Sequence, residues 1–183
     1  MKGQYAHPVP VRINLRTTGL DCAELAFPGR EEGTLGRLVY ELHHAPMQYR
    51  VSGLSSASLQ LLHIAAHIDA IERRIKPTLE QGRIVILDRF WWSTMVYGAV
   101  SGVSEALLRG LRELELASWG TVRPTGLFLV RRKNPLRDGP MTEWQRIAAE
   151  YDSFAAAAGA TEWELLQVLG TALNPTGPAA AKV

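Results

Sequence analysis

The chain has 183 residues, of which 46% are hydrophobic and 21% charged, the composition of an ordinary globular protein with a core of its own. A net charge of +2 argues against a nucleic-acid binder, and the single cysteine, Cys22, excludes a disulfide framework and a cysteine-based metal cluster. No stretch approaches the roughly 20 apolar residues of a membrane helix, and the N-terminus lacks the apolar core of a signal peptide. We therefore expect a cytoplasmic protein without a membrane partner.

Three regions of the chain differ in pattern. Residues 1–20 are irregular, apart from an alternating segment at 11–15 that is compatible with a short strand. Residues 21–170 alternate between strand-like and helical patterns, so we expect one α/β domain with a mostly parallel sheet flanked by helices. Residues 171–183 are rich in proline, glycine and alanine and are predicted to form a flexible tail.

The domain begins with a strand candidate, Asp21–Phe27, which Pro28 should end because proline cannot donate to a strand ladder. A glycine-rich loop follows and leads into a helix that Thr34 is suited to cap and that should end near His44. The inward-facing residues of this helix are predicted to be Leu38, Val39 and Leu42.

The longest helical pattern spans Ser55–Gln81, with Gly82 just beyond its end. Pro77 should kink or interrupt this helix. The predicted core stripe recurs at steps of three and four residues: Leu61, Ile64, Ile68, Ile71 and Ile75. A second face, roughly 100° away, carries His63, His67, Ala70 and Arg74.

The central strand is predicted at Ile84–Leu87, an unbroken apolar run that suggests burial on both faces in a parallel sheet. Asp88 and Arg89 follow it at once. Ligands of open α/β sheets gather at the carboxyl ends of strands, where a carboxylate suits Mg²⁺ and a guanidinium suits phosphate. Aromatic residues that would suit a nucleobase follow: Phe90, Trp91, Trp92 and Tyr97.

The rest of the chain adds further elements. Helices are predicted at Trp92–Val100, at Ser104–Ser118 with a serine cap, and at Met141–Ala158. A third strand is predicted at Thr125–Arg131, and the pattern of Thr161–Leu169 does not decide between strand and helix.

Two motifs resemble the thymidylate kinase family. Asp88-Arg89 is followed at family spacing by an aromatic residue, Ser93 and Tyr97, and FPGREEGTLG at 27–36 is similar to the family's strand-end loop. The resemblance extends from about residue 21 to about residue 158. It implies a P-loop nucleoside-monophosphate kinase fold and ATP-dependent phosphoryl transfer to a nucleoside monophosphate, with dTMP as the first candidate.

The resemblance also implies roles for individual residues. Arg89 would contact phosphate and reduce the charge repulsion between acceptor and donor, and Arg30 would hold the acceptor phosphate. Asp88 would order Mg²⁺ or its waters, with ATP as co-substrate. The nucleoside pocket would include residues of both motifs: Phe27, Pro28, Ser93 and Tyr97.

His63 and His67 have the spacing of a helical zinc site, but Ile64 occupies the position of the catalytic glutamate and no third ligand is evident. By alignment with the family they replace a base-stacking aromatic residue and a base-contacting arginine, so we assign them to the substrate site. Gly98 replaces a polar base contact. These departures leave the accepted base open.

Arg131, Arg132 and Arg137 belong to a basic segment that is either a solvated loop or the family's arginine-bearing lid. In the lid interpretation Arg132 is catalytic, and Arg131 and Arg137 contact ATP. Nucleic-acid binding is disfavoured because no aromatic residues alternate with these charges.

Kinases of this family bind ATP through G-x-x-x-x-G-K-[ST], yet no lysine of this sequence follows a glycine. We therefore expect the fold without its first βα unit and a chain with impaired kinase activity, because the sequence begins inside the true reading frame or because the fold is degraded. The alternative is a non-catalytic nucleotide-binding or protein-interaction module. The family commonly dimerises, and residues 104–118 would suit a homodimer surface.

Overall fold

The computed structural model describes residues 21–129 and 141–157. The chain divides into two compact units, Met1–Val122 and Arg123–Val183. The described elements of the first unit are, in order, β1 (Cys22–Ala26), α1 (Leu35–His44), a 3₁₀ turn (Pro46–Tyr49), α2 (Ser56–Ala70), a π-helical segment (Ile71–Ile75), α3 (Lys76–Glu80), β2 (Ile84–Asp88), α4 (Trp92–Val100) and α5 (Glu105–Trp119). The second unit contains α6 (Met141–Ala157), which confirms the predicted helix as far as it is described. The predictions for residues 11–15, 161–169 and 171–183 lie outside the described residues.

The described sheet consists of β1 and β2, which pair in parallel from Cys22 opposite Ile84 to Ala26 opposite Asp88. Parallel neighbours need a crossover connection, and helices α1 to α3 supply it. Both strands lie where the sequence predicts them. The parallel pairing also agrees with the predicted fold class, on the small scale of a two-stranded sheet.

The predicted burial of β2 on both faces is wrong. Ile84 is 44% exposed, and the three residues that follow it are only half-buried. In the described part of the chain β2 pairs with β1 alone. A strand is buried on both faces only where neighbouring strands and helices cover it, so the apolar run by itself does not secure this burial.

The predicted third strand, Thr125–Arg131, is also wrong for its described part, residues 125–129, which are irregular. Phe128 in this segment is 60% exposed. Apolar side chains favour an extended segment, but a strand forms only when its backbone N–H and C=O groups find a partner strand.

The predicted helix starts are confirmed by their caps. In each case a side-chain oxygen accepts a hydrogen bond from the backbone N–H three residues later: Thr34 from Arg37, Ser55 from Ser58, and Ser104 from Leu107. Helix α1 ends at His44, as predicted. The predicted inward face of α1 is only partly correct, because Val39 is fully buried whereas Leu38 is 41% exposed.

The predicted interruption of the long helix is confirmed as a π-helical segment just before Pro77. The N–H of Lys76 donates to the carbonyl of Ile71, five residues back, which defines a π turn. Pro77 has no N–H, so it cannot continue the regular ladder. Thr78 donates its hydroxyl to the carbonyl of Arg74 at 2.6 Å.

Helix α2 lies at the centre of the first unit, in contact with α1, α4 and α5. Ile64, Ile71 and Ile75 are almost fully buried, as predicted, but Leu61 is 52% exposed. Gln60 and His67 are buried instead. Because helices surround α2, its second face is enclosed as well, which a single apolar stripe does not predict. No helix within the described residues combines the length and hydrophobicity needed to cross a lipid bilayer.

Candidate functional site

The structure brings the two sequence motifs together at the carboxyl ends of β1 and β2. Ala26 and Asp88 are the last pair of the register, and the N–H of Phe27 donates to the carbonyl of Asp88 at 3.0 Å. The loop that begins at Pro28 and the segment that begins at Arg89 therefore start side by side. This is the edge of a parallel sheet at which ligands bind.

The loop after β1 packs tightly against the start of α1. The Phe27–Pro28 peptide bond is cis, and Gly29 has a φ of 141°. A Cβ on Gly36 would lie 2.7 Å from both the nitrogen of Gly29 and the carbonyl carbon of Pro28. Glycine at position 36 therefore allows the helix to approach the loop backbone.

Glu31 links this loop to the π-helical segment through an ion pair with Arg74 at 2.8 Å. Partial burial alone would raise the pKa of Glu31, but hydrogen bonds from Arg74 and from backbone N–H groups lower that pKa below its usual value. The neighbouring Arg30 is half-buried, and its guanidinium has no partner among the described residues. The loop is thus held in place while Arg30 stays available.

Asp88 and Arg89 are exposed, and neither side chain has a partner in the described part of the chain. Arg89 has a φ of 80°, in the left-handed region. For a residue other than glycine this conformation costs on the order of 1–3 kcal/mol and often marks a functional position. A free carboxylate and a free guanidinium thus stand on adjacent residues at the strand end.

An open recess of about 740 Å³ borders Arg30 but does not define the site. Its lining also includes the start of α1, from Gly33 to Leu38, yet neither Asp88 nor Arg89 borders it. The candidate phosphate and metal ligands lie at the strand ends, so the backbone register locates the site better than this recess does.

His67 lies against Phe27, the residue that follows β1, and is 3% exposed. Its Nδ1 is 2.7 Å from Oε2 of Glu115, a fully buried carboxylate whose Oε1 accepts the indole N–H of Trp119 at 2.8 Å. Phe27 stacks on the imidazole with ring centroids 4.2 Å apart. The predicted substrate residues Phe27 and His67 are therefore in direct contact.

His63, one turn before His67, is mostly buried and uncharged at neutral pH. Burial is the main cause that lowers its pKa to about 4, and the basic groups His67, His43, Arg89 and His44 contribute to the same lowering. Arg89, the permanently charged member of this group, would favour an anion beside His63.

The described residues contain no group of three or more His, Cys, Asp or Glu side chains that could hold a metal ion. Asp88 supplies one free carboxylate, which suits Mg²⁺ because this ion usually keeps several waters and binds one or two carboxylates plus substrate phosphates.

Helix α4 places Ser93 and Tyr97 shortly after Arg89. Ser93 is half-buried, and Tyr97 is 41% exposed. Trp91 and Trp92, which the sequence offered as aromatic surface for a nucleobase, are buried. The predicted site residues Arg131, Arg132 and Arg137 lie outside the described residues.

Sequence reasoning missed three buried polar residues of this region. Gln60, Thr94 and Glu115 are 4%, 5% and 0% exposed. Gln60 precedes His63 by one turn, so its position on the histidine face was a usable signal. The sequence contained no such signal for Glu115, because its partner His67 is 48 positions away.

Comparison with known proteins points to one family. The family model for thymidylate kinases matches residues 30–131. That range contains Arg30, both histidines of α2 and the Asp88-Arg89 motif.

Individual relatives extend the match. The chain is 34% identical over 155 residues to a thymidylate kinase of Parasynechococcus marenigrum, covering 79% of this chain and 72% of that protein. It is 32% identical over 108 residues to one of Rhizorhabdus wittichii, covering 57% and 49%. It is 48% identical over 52 residues to one of Cereibacter sphaeroides, covering 28% and 24%. The chain thus spans about half or less of the length of the last two relatives.

Proposed function

The chain belongs to the thymidylate kinase family, and from this premise we propose that its strand-end site holds the acceptor nucleotide of an ATP-dependent phosphoryl transfer. The acceptor is a nucleoside monophosphate, and dTMP is the first candidate. The observation that supports this most is the placement of Arg30 and Arg89, two guanidiniums without partners in the described residues, in loops that start side by side.

The two arginines bind the phosphate of the acceptor. A guanidinium presents planar N–H groups that match phosphate oxygens, and its charge offsets the repulsion between two phosphorylated substrates. Phosphoryl transfer depends mainly on positioning and charge neutralisation, so these groups contribute to catalysis through binding. The Glu31–Arg74 ion pair supports the loop that carries Arg30.

Asp88 would hold Mg²⁺ through its carboxylate, and the ion would supply charge neutralisation at the transferring phosphate. The base and sugar of the acceptor lie against a group of mostly aromatic and polar side chains: Phe27, Pro28, His63, His67, Ser93 and Tyr97. On the sequence resemblance alone, we propose that Arg131, Arg132 and Arg137, which lie outside the described residues, have the role of the family's lid arginines toward ATP.

This chain supplies the acceptor side of the reaction better than the donor side. Its 183 residues contain no G-x-x-x-x-G-K-[ST] motif, whose backbone and lysine would cradle the ATP phosphates. We therefore propose that these 183 residues alone phosphorylate dTMP slowly. We also propose a cytoplasmic location and a homodimer formed through α5, on which Leu107, Leu114 and Leu116 are exposed.

The test is a steady-state assay of ADP formation with dTMP, ATP and Mg²⁺, beside equilibrium binding of dTMP. We expect dTMP to bind and the rate to stay more than about tenfold below that of a full-length family member. A rate within about tenfold of that of the full-length member would overturn the proposed impairment of kinase activity. Absence of dTMP binding would overturn the acceptor site and favour a protein-interaction module, which size-exclusion chromatography of the chain would then characterise.

A further inference from the structure

Trp119, the last residue of α5, contacts both segments that carry the candidate phosphate-binding arginines. Its ring centroid is 6.0 Å from that of Phe27, which begins the segment leading to Arg30, and 5.7 Å from that of Phe90, which directly follows Arg89. Aromatic rings attract one another when their centroids are about 4.5–7 Å apart. One indole, which is only 6% exposed, therefore connects the two segments from a third element of the fold.

The ladder of backbone hydrogen bonds between the strands ends before it reaches these arginines. The last register pair is Ala26 with Asp88, and the N–H of Phe27 adds one bond to the carbonyl of Asp88 at 3.0 Å. Beyond this point the two segments leave the sheet. The spacing of Arg30 and Arg89 therefore depends on side-chain packing as well as on the strand register.

Buried hydrogen bonds hold the indole in place. Its N–H donates to Oε1 of Glu115 at 2.8 Å, and Oε2 of the same carboxylate lies 2.7 Å from Nδ1 of His67. Glu115 is 0% exposed and His67 is 3% exposed. His67 in turn stacks on Phe27 with ring centroids 4.2 Å apart. A buried polar network whose members are satisfied rigidifies its surroundings, so the ring of Trp119 is fixed against its neighbours.

We propose that Trp119 is a positioning residue that sets the spacing of Arg30 and Arg89 around the phosphate of the acceptor nucleotide. Two guanidiniums bind one phosphate well only when both reach it together, and a misplacement of about 1 Å can reduce catalysis about 100-fold. Phe27 and Phe90 transmit the position of the indole to the two segments. The inference rests on the proposed function, which assigns the phosphate to these arginines.

The ratio of the affinities for dTMP and thymidine measures the contribution of the phosphate contacts. A variant that is only less stable weakens the binding of both ligands by the same factor, because each binds the folded fraction alone, and the ratio stays unchanged. Trp119→Phe removes the indole N–H and part of the ring that contacts Phe27 and Phe90. We expect this variant to lower the dTMP-to-thymidine affinity ratio at least about threefold.

Phe90→Leu tests the same contact from the other side. Phe90 is only half-buried, so this change disturbs the core less and keeps the inference testable if Trp119→Phe does not fold. The affinity ratio should again fall at least about threefold.

Leu111→Val is the matched control. Leu111 lies on the same helix as Trp119 and is 2% exposed, so its truncation leaves a cavity and lowers stability. The dTMP-to-thymidine affinity ratio of this variant should equal that of the wild type.

A double-mutant cycle with Arg30→Ala separates positioning from general support. Only one of the two guanidiniums is left in that background, so the indole has no spacing to set. Trp119→Phe and Phe90→Leu should then leave the dTMP-to-thymidine affinity ratio of Arg30→Ala unchanged.

The outcomes separate this inference from the proposed function. An unchanged ratio in either variant that folds, an equal fall in Leu111→Val, or the same fall in the Arg30→Ala background would overturn the inference and leave the acceptor site standing. Equal affinities of the wild type for dTMP and thymidine would overturn the proposed function and the positioning role of Trp119 with it.

Discussion

The backbone N–H of Phe27 donates to the carbonyl of Asp88 at 3.0 Å, directly beyond the last register pair of the two strands. This bond joins two motifs that lie far apart in the sequence. It places the loop of Arg30 beside Arg89, so the phosphate-binding groups depend on the pairing of β1 with β2. Substitutions at these strand ends can therefore separate effects on the fold from effects on binding.

Arg89 is expected to contribute to dTMP binding while its backbone conformation lowers the stability of the fold. Arg89→Gly and Arg89→Ala both remove the guanidinium, so both should weaken dTMP binding about tenfold or more. Glycine accepts a φ of 80° and alanine does not, so the glycine variant should be more stable than the alanine variant by about 1 kcal/mol. Urea denaturation and calorimetry measure the two effects. Equal stability of the variants would contradict the strain at this position.

Gly36 should tolerate no side chain. Gly36→Ala places a methyl group 2.7 Å from backbone atoms of the neighbouring loop, which cannot move as a side chain can. We expect a loss of about 1–3 kcal/mol in the free energy of unfolding. Gly110→Ala is the control, because a Cβ there meets nothing within 4 Å and should add about 0.5–1 kcal/mol. A stable Gly36→Ala variant would argue against this helix–loop packing.

His63 should make the chain sensitive to acid. Its pKa is about 4 in the folded chain and 6.5 as the ordinary value, so the unfolded state binds a proton first. The stability that depends on neutral His63 is complete above pH 6.5 and is lost as the pH falls toward 4. Allowing for its partial exposure, the loss is about 1–3 kcal/mol. Denaturation curves should show that the free energy of unfolding of His63→Gln declines less between pH 6.5 and pH 4 than that of the wild type. An identical decline in both proteins would refute the low pKa of His63 as the cause.

The Glu31–Arg74 ion pair should matter more for binding than for stability. Both side chains are partly exposed, so Arg74→Ala should change the free energy of unfolding by less than about 1 kcal/mol. The loop that carries Arg30 would lose its link to the π-helical segment, and dTMP affinity should fall several-fold. Arg73→Ala is the control, because Arg73 is 77% exposed and 3.9 Å from Asp69. Equal dTMP affinities of Arg74→Ala and Arg73→Ala would show that the Glu31–Arg74 ion pair does not support the loop that carries Arg30.

The sequence predicted what local chemistry determines. Caps at Thr34, Ser55 and Ser104 located helix starts, and Pro77 located the interruption of the long helix. It could not predict properties that depend on distant partners. The apolar run of β2 gave no information on which strands would cover it, and the Thr125–Arg131 pattern contained no sign of a partner strand. Glu115 in an amphipathic helix looked like any solvated glutamate until the fold brought His67 to it.

The most direct test of the acceptor site is calorimetric titration of the full chain with dTMP and, separately, with thymidine. If Arg30 and Arg89 bind the phosphate, dTMP should bind with a favourable enthalpy and thymidine should bind at least about tenfold more weakly. Equal affinities for dTMP and thymidine, or no binding of either, would contradict a phosphate site at the ends of β1 and β2.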